Sequence, residues 1–276
     1  MEYAMLRFPQ FRAKALTLSY DDGVIFDEKL IRIMDQYGLK GTFNLNSGLF
    51  DAGDERRLTQ DGVLALLKDS AHEVAVHGAQ HLSLPAVPPA LAAQEILSDR
   101  QALEKLFGRV ITGMAYAFGT YDDRTVEVLK TCGINYARTT VSTGRFDIPS
   151  DWLRMPATCH HDDPRLMELA KTFADYTPRG NWRRAQPKLF YLWGHSYEFN
   201  DKNNWHVIEE FAKFIGGRED IWYATNMEIY RYVKAYDALE FSVDCTSVYN
   251  PSATDVYLHV MDANVVAKAG ETTLLR

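Results

Sequence analysis

The chain has 276 residues, of which 46% are hydrophobic and 24% charged, and this composition can bury one large core. Its net charge of −7 and pI near 5.6 provide no basic surface, so neither nucleic acid nor a membrane is expected as a partner. These values favour small or neutral substrates.

Strand-like and helix-like segments alternate along most of the chain. The first strand lies within residues 14–23 and runs into two acids and a glycine. Further strands are predicted at 40–45, 72–76, 110–118, 134–138, 152–158, 189–193 and 221–223. Helices are predicted at 26–37, 59–68, 88–107, 122–132, 163–173, 204–214 and 225–236. This βαβα order predicts a closed or nearly closed parallel barrel, with functional residues at the carboxyl ends of its strands.

The last residues differ in pattern from the barrel. Alternating segments at 240–249 and 255–260 flank a turn at 250–252, which predicts a β-hairpin packed on the barrel. We therefore divide the chain into a barrel, 1–238, and a C-terminal β extension, 239–276.

The cysteines and the N-terminal residues indicate in which cellular compartment the protein is expected. Cys132, Cys159 and Cys245 are far apart and form no C-x-x-C pattern, which favours reduced thiols. The N-terminal residues lack an uninterrupted apolar segment and a cleavage site, so a cytoplasmic protein is expected.

Two motifs predict a metal site. Asp21 and Asp22 are adjacent on an extended chain, so their side chains point in different directions, and one can bind a metal while the other handles a proton. His77 and His81 are four residues apart and can place both imidazoles on one side of a turn. By itself this spacing also fits a solvated turn or two buried histidines. Because both motifs close strands of one scaffold, we favour a catalytic site made of Asp22 and the two histidines.

Four short segments together resemble the NodB-like polysaccharide deacetylases of carbohydrate esterase family 4. They are Ser19-Tyr-Asp-Asp-Gly23, His77-Gly-Ala-Gln-His81, Tyr116-Ala-Phe-Gly119 and Leu192-Trp-Gly-His195, in the order and at the separations of the family motifs. The resemblance covers about residues 14–235. It implies a distorted (β/α)7 barrel, a divalent metal that is usually Zn²⁺, and removal of acetyl groups from N- or O-acetylated carbohydrate.

The resemblance also implies a role for each motif residue. Asp22, His77 and His81 would bind the metal, and Asp21 would be the general base. His195 would protonate the leaving group, and the backbone N–H of Phe118 would stabilise the oxyanion.

The chain departs from the family in the third motif, where Met114 and Ala115 stand in place of the arginine that touches the base. Arg154 is our candidate replacement, with an ordinary surface arginine as the alternative. No acidic-tryptophan motif of the fourth type is found.

Several further residues are weaker candidates. Tyr116, His160, His161 and Trp182 are expected near the substrate. His161 could instead brace the catalytic groups, and the segment at 159–163 could instead be a helix start.

Three functions remain open at this point. The first is a metal-dependent carbohydrate deacetylase, the second is a hydrolase of non-sugar amides such as cyclic ureides, and the third is a carbohydrate-binding barrel without turnover. The sequence leaves open the substrate, the linkage, the physiological metal and the oligomeric state.

Overall fold

A computed structural model describes residues 4–178, 186–261 and 263–275. The strands are β1 Ala4–Arg7, β2 Lys14–Asp21, β3 Gly41–Leu45, β4 Glu73–Val76, β5 Gly113–Ala115, β6 Tyr136–Ser142, β7 Met155–Ala157, β8 Cys159–His160, β9 Lys188–Gly194, β10 Ile221–Tyr223, β11 Glu240–Phe241, β12 Ser247–Tyr249, β13 Val256–Val260, β14 Ala263–Ala267 and β15 Thr272–Leu274. The helices are α1 Asp27–Gln36, α2 Gln60–Leu67, α3 Pro89–Phe107, α4 Asp123–Thr131, α5 Leu166–Ala174, α6 Ser196–Asp201, α7 His206–Ile215 and α8 Asn226–Asp237.

The parallel α/β fold expected from the sequence is confirmed. One sheet has the strand order β7-β6-β5-β4-β3-β2-β9-β8, and β10 pairs in parallel with the start of β2. The segment that contains β7 and β8 pairs with β6 on one side and with β9 on the other. Neighbouring strands therefore follow one another around a ring, as in a (β/α)7 barrel.

Strand β2 lies between β3 and β9 in this sheet, and its side chains are buried on both faces. All eight of its residues are buried, including three apolar or aromatic side chains that pack into the main core. A strand buried on both faces is typical of parallel sheets covered by helices. Its carboxyl end delivers Asp21 to the edge of the sheet where β3, β4, β5 and β9 also end.

Local sequence signals set the ends of several helices. Thr59 and Asp122 accept the N–H of the third helical residue of α2 and α4, respectively. Thr225 forms a capping box with Glu228 at the start of α8. Helix α3 ends at Gly108, whose φ of 65° is readily adopted by glycine.

The C-terminal residues form more structure than the single hairpin predicted. Strands β11, β12 and β15 make one antiparallel sheet, and β13 and β14 make another with the N-terminal strand β1. The sequence did not indicate the pairing of β1 with β13, because β1 is four residues long and its partner lies at the other end of the chain. Within the described residues, every helix is too short or too polar to cross a bilayer.

Candidate active site

The two adjacent aspartates close β2. Asp21 is the last residue of the strand and is buried, and the N–H of Asp22 donates to the carbonyl of Asn44 at 2.9 Å. Asp22 has a φ of 85°, a left-handed conformation that is costly for a residue with a side chain. The carbonyl of Asp22 accepts a hydrogen bond from Arg57 Nη1 at 2.7 Å, which stabilises this turn.

Asp22, His77 and His81 come together as expected. Asp22 Oδ1 lies 3.9 Å from His77 Nε2 and 3.7 Å from His81 Nε2. His77 Nδ1 lies 2.9 Å from the carbonyl of Ala115, which accepts its proton and leaves Nε2 free to bind a cation. Burial, and next the neighbouring His77, lowers the pKa of His81 to about 4, so its imidazole is neutral at pH 7.

A divalent metal fits this set. Asp22 Oδ1 is buried and has no hydrogen-bond partner among the described residues, which leaves an acceptor facing two imidazole nitrogens. Two imidazoles and one carboxylate are a ligand set typical of catalytic metals, with positions left for water and substrate.

The metal loop is held by side chains that the sequence analysis missed. Asn46 donates to the carbonyls of His77 and Gly78 at 3.0 and 2.8 Å. From α3, Asp99 Oδ2 accepts the N–H of His77 at 3.0 Å, and Glu95 Oε1 accepts the N–H of Gln80 at 2.7 Å. Glu95 and Asp99 are buried on the same face of α3 as apolar residues. Two acids within an apolar helix face could have identified them in the sequence as residues with a buried role.

Asp21 is held by an arginine, but a different one from that predicted. Arg138 Nη2 donates to both carboxylate oxygens of Asp21, and Asn44 Nδ2 donates to Oδ1 at 2.8 Å. Burial would raise the pKa of Asp21, but Arg138, together with the nearby histidines, outweighs burial and holds this pKa well below its usual range. Asp21 is therefore an ionised carboxylate.

The proposal that Arg154 orients Asp21 is wrong. Arg154 pairs with Asp151 at 2.7 Å and Asp123 at 2.6 Å on the surface. The replacement comes from β6, where Arg138 ends the strand predicted at 134–138 and is fully buried. The sequence could have identified Arg138, because it is a charged residue at the carboxyl end of a predicted barrel strand.

His195 lies across the site from the metal loop. Its Nε2 is 3.8 Å from Asp21 Oδ2 and 4.0 Å from Asp22 Oδ2, and its Nδ1 is 3.0 Å from Glu198 Oε1. Burial lowers the pKa of His195, but the hydrogen bond to Glu198 and the charges of the aspartates outweigh it, so the pKa is raised overall. The imidazole therefore keeps its proton at higher pH than a free histidine.

Glu198 is a further residue that the sequence analysis missed. Its Oε2 lies 3.0 Å from His161 Nε2 and 3.4 Å from His160 Nε2. His161 is fully buried, so it contacts Glu198 and not the substrate, which agrees with the alternative that it braces catalytic groups. His160 is partly exposed beside Trp193 and His195.

The remaining predicted residues have different surroundings. Phe118 is 65% exposed, and its ring packs against His81 with a centroid separation of 4.4 Å. Tyr116, in contrast, is buried and donates to the carbonyl of Leu153 at 2.8 Å, so the expectation that its side chain contacts substrate is wrong. Trp182 lies outside the described residues.

Solved structures of similar fold include two that match most of this chain. A candidate polysaccharide deacetylase from Mycobacterium smegmatis matches with a TM-score of 0.58 and 16% identity, over 86% of this chain and 96% of that one. A family 4 carbohydrate esterase from Streptomyces lividans in complex with acetate matches with a TM-score of 0.50 and 15% identity, over 76% and 92%. These likenesses confirm the fold.

The deacetylase PplD from Streptococcus pyogenes, in complex with acetate, has 22% identity and a TM-score of 0.46, and the match covers 50% of this chain and 62% of PplD. The chain therefore spans less than two thirds of that protein. Among curated protein sequences, none matches this chain.

The family comparison completes the assignment. The polysaccharide deacetylase family matches residues 9–137, the part of the chain that carries Asp21, Asp22, His77, His81 and Phe118. The resemblance to this family is thus confirmed, over a region that carries the first three of the four motifs.

Proposed function

We propose that this protein is a metal-dependent hydrolase that removes acetyl groups from N- or O-acetylated carbohydrate, with Zn²⁺ as its metal. The proposal depends on the position of the Asp21 carboxylate. Its Oδ2 lies 3.8 Å from Nε2 of His77, a proposed metal ligand, and 3.8 Å from Nε2 of His195. A proton acceptor, a metal ligand and a proton donor thus surround one position where an acetyl group can lie.

Opposite pKa shifts support separate roles for Asp21 and His195. The carboxyl of Asp21 has a lowered pKa and accepts a proton from the attacking water. The imidazole of His195 has a raised pKa and donates its Nε2 proton to the leaving nitrogen or oxygen. One C–O bond forms and the bond to the sugar nitrogen or oxygen breaks, and the products are acetate and a free amine or hydroxyl.

Asp22, His77 and His81 would hold the metal. A bound divalent cation supplies Lewis acidity for the acetyl carbonyl and lowers the pKa of water. The backbone N–H of Phe118 would donate to the oxyanion, because the Phe118 ring packs on His81 and so keeps this backbone beside the metal ligands.

An assay of acetate release from a panel of acetylated sugars tests the function. Activity that EDTA removes and Zn²⁺ restores would support the deacetylase. Ammonia or carbamoyl products from cyclic ureides would contradict the deacetylase proposal and support the amide hydrolase. Sugar binding without any turnover would contradict it and support the carbohydrate-binding barrel.

A pair of variants tests the division of roles at the two ends of the site. Asp21→Asn should retain zinc and lose activity by about 100-fold or more, because the proton acceptor is gone. His77→Ala should lose zinc as well as activity. Equal loss of zinc in both variants, measured by metal analysis after dialysis, would contradict the division.

A further inference from the structure

A second group of potential metal ligands lies beside the active site and shares no residue with the first. We call it the histidine–acid cluster, and it consists of His160, His161, Asp162 and Glu198. Each residue offers one ligand atom, and these atoms all lie within 4.8 Å of one another. The separation is comparable with that in the trio of Asp22, His77 and His81, and two imidazoles with two carboxylates suit a divalent transition metal.

The fold fixes the positions of these ligands before any cation binds. His161 is anchored by its N–H, which donates to the carbonyl of Trp193 at 2.9 Å, and its ring stacks on Phe199 with a centroid separation of 4.0 Å. Glu198 is on α6, one helical turn after His195. Strand β8 and helix α6 therefore present their ligands toward each other from rigid elements.

Glu198 Oε2 lies at the centre of the cluster. It is 3.0 Å from His161 Nε2 and 3.4 Å from His160 Nε2, and His161 Nε2 is in turn 3.7 Å from Asp162 Oδ1. Distances of 3.0 to 3.7 Å between ligand atoms match those expected between two ligands of the same ion, because each would be about 2 Å from it.

The positively charged side chain of Lys202 lies at the edge of this cluster. The ammonium of Lys202 contacts Asp162 Oδ2 and lies 3.5 Å from Glu198 Oε2. The Lys202 side chain is half exposed, and its flexible stem can move the ammonium into solvent without disturbing the core. The structure thus shows that positive charge is favoured at this position.

We propose that the histidine–acid cluster is a second divalent-metal site, which binds Zn²⁺ when the ammonium of Lys202 swings away. Glu198 Oε2, His161 Nε2 and Asp162 Oδ1 provide three ligands, and His160 Nε2 provides the fourth. This site is independent of the deacetylase proposal, because it is defined by metal content and not by turnover.

The second site should be weaker than the first because its histidines carry their protons on the wrong nitrogen. In the first site, His77 Nδ1 donates to Ala115, so Nε2 is already free. In the cluster, His160 Nδ1 accepts the N–H of Asp162 at 3.2 Å, which places its proton on Nε2. Metal binding moves that proton from Nε2 to Nδ1, with no change in ring charge, and breaks the hydrogen bond from Asp162.

Equilibrium dialysis of the intact protein against buffered Zn²⁺, followed by metal analysis, tests the proposal. The unchanged protein should bind two zinc ions per chain in two steps. His77→Ala should lose the tighter ion and retain the weaker one. Binding of a single ion by the unchanged protein up to millimolar free zinc would overturn the second site.

Two surface variants address the cluster without disturbing buried His161. Asp162→Asn should weaken the second zinc at least tenfold because one anionic ligand is lost, whereas Lys202→Met should tighten it by about tenfold because a competing charge is gone. Lys234→Met is the matched control, since Lys234 forms an exposed pair with Asp237 at 3.0 Å, and it should leave both steps unchanged. Unaltered second-step affinity in Asp162→Asn and Lys202→Met, with circular dichroism showing folded protein, would overturn the assignment.

Discussion

Arg138 is a fully buried charge, and the geometry of the base depends on it. Its guanidinium donates to both oxygens of Asp21, and the ring of Trp193 lies 4.6 Å from the guanidinium carbon. A buried ion pair contributes little to net stability, but removal of one partner leaves the other charge buried and unpaired. Arg138 is thus a positioning residue for Asp21.

Substitution of Arg138 tests this role. Arg138→Met should destabilise the protein by about 3–5 kcal/mol, because Asp21 is left as an unpaired buried charge. Acetate release should fall by about 100-fold, since the base loses its orientation. Urea unfolding and rate measurements check both effects.

Arg154→Ala is the control for this experiment. Arg154 pairs with Asp123 and Asp151 at the surface, so its loss should change stability by about 1 kcal/mol or less and leave the rate unaltered. A rate loss in Arg154→Ala equal to that in Arg138→Met would restore Arg154 as the partner of the base. Arg138→Lys should lie between the two, because lysine keeps the charge but loses the fork geometry.

Glu198 raises the pKa of His195, the proposed proton donor. Glu198→Gln removes the charge and the strong hydrogen bond that raise the pKa of His195, so this pKa should fall. A proton donor is active below its pKa, and the alkaline limb of the rate profile should therefore move to lower pH.

The pH profile of deacetylation, recorded for both proteins, measures this shift. Glu209→Gln is a matched change at an exposed acid paired with Lys29 on the outer helices, and it should leave the limb in place. An alkaline limb that is identical in Glu198→Gln and in the unchanged protein would contradict the role of Glu198.

At the scale of elements, the loop between β4 and α3 positions His77 and His81, two of the three proposed metal ligands. Gly78 has a φ of 86°, and a Cβ at this position would come within 2.9 Å of Glu95 Oε1. Glu95 also accepts the N–H groups of Gln80 and Leu82, so any shift of this carboxylate moves the loop that carries His81. The absence of a side chain at residue 78 is therefore a requirement of the loop.

Gly78→Ala should weaken zinc binding as well as stability. The added methyl group strains the left-handed backbone, by about 1–2 kcal/mol, and displaces Glu95. Zinc affinity, measured by competition with a chelator, should fall by at least tenfold. The change should appear even where the protein remains folded.

Gly108→Ala separates the two effects. Gly108 has a φ of 65° at the end of α3, and a Cβ there would meet nothing within 4 Å. This variant should lose similar stability with unchanged zinc affinity. Equal affinity in the two variants would show that residue 78 acts through backbone strain alone.

The elements themselves were largely readable from sequence, since each motif follows a short apolar strand. Asp21, His77 and His195 were therefore placed correctly at strand ends. Arg138 and Glu198 were missed for different reasons. Arg138 contacts Asp21 across 117 residues, and Glu198 is on a short helix of six residues that has no apolar periodicity.

At the scale of the whole molecule, buried carboxyl groups make stability depend on pH. Burial raises the pKa of Asp27 to about 7 and that of Asp99 to about 7, against the hydrogen bonds that they accept. Between pH 4 and 7 the folded protein holds protons that the unfolded chain has released. The stabilising contribution is therefore complete below pH 4 and is lost as pH rises through 7.

Asp27→Asn should reduce this dependence. The amide has the size of the protonated acid and does not ionise, so the free energy of unfolding should fall less steeply from pH 5 to pH 8 than in the unchanged protein. Urea unfolding of metal-free protein across this range measures the slope. Asp69→Asn, at an exposed position, should retain the original slope, and an unchanged slope in Asp27→Asn would contradict the assignment.

The overall barrel could be predicted from sequence, but the arrangement of the C-terminal residues could not. The order of βα units is a local signal, whereas β1 and β13 are paired through contacts between the two ends of the chain. Tyr232 Oη on α8 links them further, since it donates to the carbonyl of Arg7 and accepts the N–H of Tyr257. Single-sequence patterns carry no information on such distant partners.

This pairing has a consequence for how the protein is made. At roughly 5–20 residues per second, the ribosome reaches β13 about 10–50 s after it has released β1. During that interval the edge of β1 is unpaired and the side chains of Leu6 and Phe8 are not yet buried, while the barrel strands can already assemble. A nascent chain that stalls before Val256 should therefore be a preferred substrate for chaperones that bind apolar strands.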